Sequence, residues 1–117
     1  MTTSESFRDF ILEQAADAGT LDTKPMFGVY CLYCDGNPVA FIREDCVMVK
    51  ETDAGRAHIG DVVEAELFPG SNLWLAIEDR YEEREWFSEL IKITAASLPP
   101  VKNRKQGRGG KKKYLIN

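Results

Sequence analysis

The stretch 26–43, MFGVYCLYCDGNPVAFIR, decides the fold. Its first half, Met26–Cys34, is rich in β-branched and aromatic residues and reads as a strand. Asp35-Gly36-Asn37 follows, and Asp-Gly favours the mirror-image turns that suit a tight hairpin. Val39–Arg43 is the return strand. Glu44-Asp45 makes a second turn and Cys46–Lys50 a third strand, completing an antiparallel meander.

Upstream, Ser4 or Ser6 can cap a helix, and Phe7, Phe10, Ile11 and Ala15 recur at helical spacing. Gly19 closes that helix, which the spacing places at about 5–18. Leu21–Pro25 reads as a connector. Downstream, Glu51–Asp61 is polar and reads as a loop with room for one helical turn. Val62–Leu67 is a short strand, Phe68–Asn72 a turn, and Leu73–Ile77 a fifth strand. Asp79, with Glu82 three residues on, reads as a capping box opening a long helix. One face of it carries Trp86, Leu90, Ile93 and Ser97, widened by Phe87, Ile91 and Leu98, and Pro99-Pro100 stops it. The expected fold is α+β in two layers: an antiparallel five-stranded sheet covered by N- and C-terminal helices.

Charge divides the chain. All 19 acidic residues fall within residues 1–89, so residues 1–101 carry −11 and residues 102–117 carry +7. The expected organisation is a domain at 1–98 and a basic, flexible C-terminal tail at 99–117. The tail cations Lys102, Arg104, Lys105, Arg108, Lys111, Lys112 and Lys113 are candidate nucleic-acid-binding residues, able to neutralise phosphates with little sequence information. The competing reading is a merely solvated tail that lies back on the acidic body. Tyr114-Leu115-Ile116 adds an apolar tag.

The remaining chemistry is sparse. Cys31 and Cys34 have the C-x-x-C form, but in a strand positions three apart face opposite ways and cannot converge on a metal. Three cysteines and a polar N-terminus without an apolar core point to reduced thiols in a cytoplasmic protein. His58 reads as a surface histidine in a polar loop. The carboxylates Glu78, Asp79, Glu82, Glu83 and Glu85 read as helix-start complementarity to the dipole. No nucleophile–base pair, phosphate loop or metal set stands out, so neither an enzyme nor a cofactor is expected. No apolar run approaches the roughly 18 residues of a membrane helix.

The segment Lys24-Pro25-Met26-Phe27-Gly28, the strand Val29–Tyr33, the turn Asp35-Gly36, the stretches Val39–Ile42 and Val47–Lys50, and the closing helix Glu83–Ala96 together resemble the TfoX/Sxy N-terminal domain family. The resemblance covers most of residues 5–98. It implies a compact α+β domain, of the kind seen in secretion-chaperone-like folds. It also implies a co-regulator of bacterial competence genes that works with another DNA-binding protein. Departures are Val29 where the family has a second glycine, Pro25 where a basic residue is usual, and no Pro-Phe after Lys50. Full competence regulators carry a second, helical domain; here a basic tail follows, so a stand-alone module is expected.

Lys24, Met26, Phe27, Gly28 and Tyr30 are candidate partner-binding residues, with Gly28 allowing close backbone approach. Their alternative is structural: a bulge at Gly28, with Met26 and Phe27 packed under the first helix. The expected partners are a transcription factor, or a second copy in a dimer, with non-specific nucleic acid on the tail and no membrane. The alternative function is a dimeric interaction or chaperone-like module with an incidental tail.

Overall fold

The computed structural model describes residues 3–44 and 46–99. The elements are α1 (Glu5–Gln14), β1 (Leu21–Met26), β2 (Val29–Cys34), β3 (Asn37–Arg43), β4 (Cys46–Val49), α2 (Asp53–Ile59), β5 (Glu64–Glu66), β6 (Leu73–Ile77) and α3 (Arg84–Ala96). Short 3-10 turns at Ala16–Ala18 and Arg80–Glu82 lead out of α1 and into α3. One antiparallel sheet has the order β1-β2-β3-β4-β6-β5.

The sheet has six strands, not five, because Leu21–Met26 pairs with β2 along its whole length. The sequence reads as a connector over Leu21–Pro25. On an edge strand a residue without N–H costs no ladder bond, so proline is tolerated there. The expected strand 26–34 is therefore split. Met26 pairs with Val29, and the chain reverses through Phe27 and Gly28 at φ 53° and 83°. Asp35 and Gly36 repeat the device at φ 52° and 87°, between Cys34 and its partner Asn37. Both are two-residue turns of the mirror-image kind, matched to the twist of the strands.

β3 holds a bulge. Leu32 pairs with Ala40 and Tyr33 with Pro38, which leaves Val39 as the extra residue. Val39 and Ala40 can then both reach the core, although consecutive strand residues normally face apart.

The core lies on one face of the sheet. Leu32, Ile42, Val47, Val49, Leu75 and Ile77 pack with Ile11 of α1, with Ala15 at its C-cap, and with Phe87, Leu90 and Ile91 of α3. Ser4 caps α1, its hydroxyl accepting the Phe7 N–H at 3.2 Å. α1 is shorter than expected, ending at Gln14. The Asp79 capping box is not formed: Asp79 makes no side-chain cap bond, and α3 begins after Glu83. The buried stripe of α3 is Phe87, Leu90, Ile91 and Thr94, with Trp86 half-buried and Ser97 exposed.

The polar stretch after β4 contains a whole helix. Thr52 caps α2, its hydroxyl accepting the Gly55 N–H at 2.9 Å. Arg56 ties α2 to its surroundings through Glu51 at 2.7 Å and through Glu64 of β5.

Candidate functional site

Among the described residues, helices cover one face of the sheet and none lies on the other. The register sets the composition of that second face. Lys24, Cys31, Phe41, Met48 and Ala76 stand side by side across five strands. An antiparallel sheet with one solvated face ordinarily turns polar side chains to it. Here four of the five are apolar. Cys31 and Met48 are 3% and 1% exposed even without a covering helix. Phe41 and Trp74 meet edge to face with ring centroids 5.2 Å apart, and both are half-buried.

A groove of about 200 Å³ runs over this face. Met26, Phe27 and Val29 of the β1–β2 hairpin form one wall, Leu67 and Phe68 beyond β5 the other, and Phe41 lies between them. These walls come from opposite ends of the strand order. Strand twist curls the sheet so that its two edges approach on the helix-free side. Ser71 shapes the second wall, its hydroxyl accepting the Leu67 N–H at 2.9 Å.

Phe27 is the most unusual residue of the site. Its side chain is 100% exposed. Its backbone lies at φ 53°, a region in which a bulky residue is an outlier and where Asn or Gly is preferred in this turn. Neither burial nor local geometry accounts for a phenylalanine there. Gly28 completes the turn, and its carbonyl accepts the Thr3 N–H at 2.9 Å. Phe68 is 60% exposed on the opposite wall.

The five residues expected to bind a partner separate. Lys24, Met26 and Phe27 belong to the helix-free face or its rim, with Lys24 Nζ 5.5 Å from the Tyr33 ring. Gly28 shapes a turn, not a bulge, and Phe27 packs under no helix among the described residues. Tyr30 faces the helices, is buried, and stacks under the Arg8 guanidinium at 4.9 Å. Sequence reasoning missed Phe41, Leu67 and Phe68; an apolar residue on the outward phase of β3 is the signal that would have found the first. The tail cations Lys102, Arg104, Lys105, Arg108, Lys111, Lys112 and Lys113 lie outside the described residues.

The other chemistry-bearing groups have structural settings. His58 is not in a loop. It sits on α2, stacked 5.2 Å from Trp86, with Nε2 3.0 Å from the Trp86 carbonyl oxygen. Arg80 covers Trp86 at 3.8 Å and pairs with Glu83. Cys31 and Cys34 face opposite sides, as strand alternation requires, and Cys34 Sγ contacts the Ala18 carbonyl at 3.7 Å. Burial raises the Cys31 thiol and pushes Cys34 up to about 11, which keeps both protonated at neutral pH. Among the described residues no group of three or more His, Cys, Asp or Glu could hold a metal ion. Nor is any of their helices long and apolar enough to cross a membrane.

Comparison with known proteins adds two findings. The TfoX N-terminal domain family matches residues 13–98. An uncharacterized 12.7 kDa protein in the trpE 5′ region of Spirochaeta aurantia is 34% identical over 105 residues, covering 90% of this chain and 91% of its own.

Proposed function

Because the chain belongs to the TfoX N-terminal domain family, we propose that it is a small, non-enzymatic regulatory module of the cytoplasm. It docks a protein through the helix-free face of its sheet, and its basic tail contacts nucleic-acid phosphate. The observation that carries the docking half is Phe27, fully exposed beside an apolar groove and held in a backbone conformation that phenylalanine disfavours. Such strain at an exposed residue is found where a partner makes use of it. Family membership supports the regulatory role, and the +7 of residues 102–117 supports the phosphate contact.

The groove suits a protein better than a metabolite. At about 200 Å³ it falls below the roughly 300 Å³ at which small-molecule pockets begin. It offers apolar walls with no convergent set of polar groups to orient a substrate.

Fluorescence anisotropy with labelled duplex DNA across a salt series tests the tail. Full-length protein is compared with a full-length variant whose seven tail cations are replaced by Gln. Seven phosphate contacts give a slope of log K against log salt of about −6. Steep binding lost in the variant supports the phosphate-contacting arm. No binding by either protein at low salt removes nucleic acid from the reading and leaves the docking face alone.

A further inference from the structure

We propose that the partner taken by the helix-free face is a second copy of this chain. The two copies pack face to face about a two-fold axis, with Phe27 of each seated in the groove of the other. The proposal rests on the reading of this face as a docking surface and names its occupant.

Area is the first argument. Phe27 is 100% and Phe68 60% exposed, and Met26, Val29, Phe41, Leu67 and Trp74 are each partly exposed on the same side. With aromatic side chains offering some 150–250 Å² apiece, the face presents on the order of 500 Å² of apolar surface. That lies at the upper end of what a free monomer leaves to water. A standard interface buries about 800 Å² per partner, and some 57–65% of it is apolar. The apolar requirement is therefore about 500 Å², and this face supplies it without help from the rest of the molecule. A partner engaging only the 200 Å³ groove would leave most of this surface wet.

Shape is the second argument. An isologous interface needs the same patch to be complementary to itself. Here a projecting ring and a groove of side-chain size stand next to each other on one surface. A two-fold operation places each ring against the other copy's groove. A heterologous partner would have no need for both features together. The edges agree: β1 carries Pro25, which lacks a donor, and β5 has only three residues. Edge-to-edge sheet extension is thus disfavoured and the face is left as the contact.

Sedimentation equilibrium of full-length protein from about 1 to 200 µM tests this. Wild type should fit a dimer in the upper part of the range. Phe27→Asn and Phe68→Ser should each raise the dissociation constant at least tenfold. Phe10→Ser, on the helix side, should leave it unchanged. Because Asn suits the turn at position 27, loss of dimer in Phe27→Asn cannot be ascribed to unfolding, and far-ultraviolet circular dichroism of each variant checks the fold. A wild type that stays monomeric at 200 µM overturns the second-copy proposal while leaving a different protein partner for the face. A dimer that survives both groove substitutions overturns the face itself.

Discussion

Thr20 and Asp35 hold each other by two bonds. The Asp35 N–H donates to the Thr20 carbonyl at 2.8 Å, and the Asp35 carboxylate accepts the Thr20 N–H at 2.9 Å. This fastens the entry of β1 to the β2–β3 turn. Asp35 also occupies φ 52°, which Asp and Asn adopt more readily than other side chains. A Cβ at Gly19 would stand 2.8 Å from the same carboxylate, so the neighbouring glycine is required as well. Asp35→Ala should cost about 2 kcal/mol, from one charge-assisted bond and the backbone term together. Asp35→Asn should stay within about 0.5 kcal/mol, since it keeps an acceptor and the turn preference. Urea unfolding of the two variants decides; an Ala variant as stable as wild type would show that the clamp contributes nothing.

The contrast between the two hairpin turns explains what the sequence could tell. Asp35-Gly36 was legible because its chemistry matches its geometry. Phe27-Gly28 has the same geometry with the wrong residue in first place, so the sequence reads there as a continuous strand and hides β1. The helix α2 was hidden by Gly55, ordinarily a poor helix residue. Gly55 packs close to α3: an added Cβ would lie 3.7 Å from both Leu90 and Thr94 and 2.8 Å from the Thr52 hydroxyl. Phe27 was named from its motif, but its exposure was not readable. Whether a phenylalanine beside a turn folds inward or projects depends on a register that only pairing sets.

Phe27→Asn should stabilise the monomer. It replaces a bulky residue at φ 53° by one that prefers that region, and it removes no buried surface, because the ring is fully exposed. The gain should be about 1 kcal/mol, the lower end of the cost of such strain. The comparison belongs at sub-micromolar protein, where self-association no longer adds to apparent stability. A variant less stable than wild type under those conditions would mean that the ring packs on its own chain.

Ser88 and Thr94 make an internal control for buried hydroxyls on α3. Thr94 is 0% exposed and its hydroxyl donates to the Leu90 carbonyl at 2.8 Å. Ser88 is buried and its hydroxyl has no hydrogen-bond partner among the described residues. Ser88→Ala removes a polar group that lost its water on folding and regained nothing, so it should stabilise by about 1 kcal/mol. Thr94→Ala removes a satisfied hydroxyl and a packed methyl and should cost about 1–2 kcal/mol. Thermal melts of the pair should move in opposite directions. Equal losses in both would place an unrecognised partner on Ser88.

The buried thiols set an alkaline limit on stability. Burial moves Cys34 from its ordinary 9.0 up to about 11, and Cys31 upward for the same reason. The folded thiol keeps its proton through a window in which the unfolded thiol has lost it. The unfolded state therefore binds fewer protons, and stability falls as pH rises from about 9 to about 11. It is fully present below 9. Each such thiol contributes a slope of at most about 1.4 kcal/mol per pH unit. Cys34→Ala should begin less stable at pH 8, because a packed sulfur is gone, yet lose stability more slowly between pH 9 and 11. Every other group is common to the two proteins and cancels in their comparison. Urea midpoints at four pH values from 8 to 11 give both slopes, and parallel curves would mean that Cys34 ionises as freely in the folded chain as in the unfolded one.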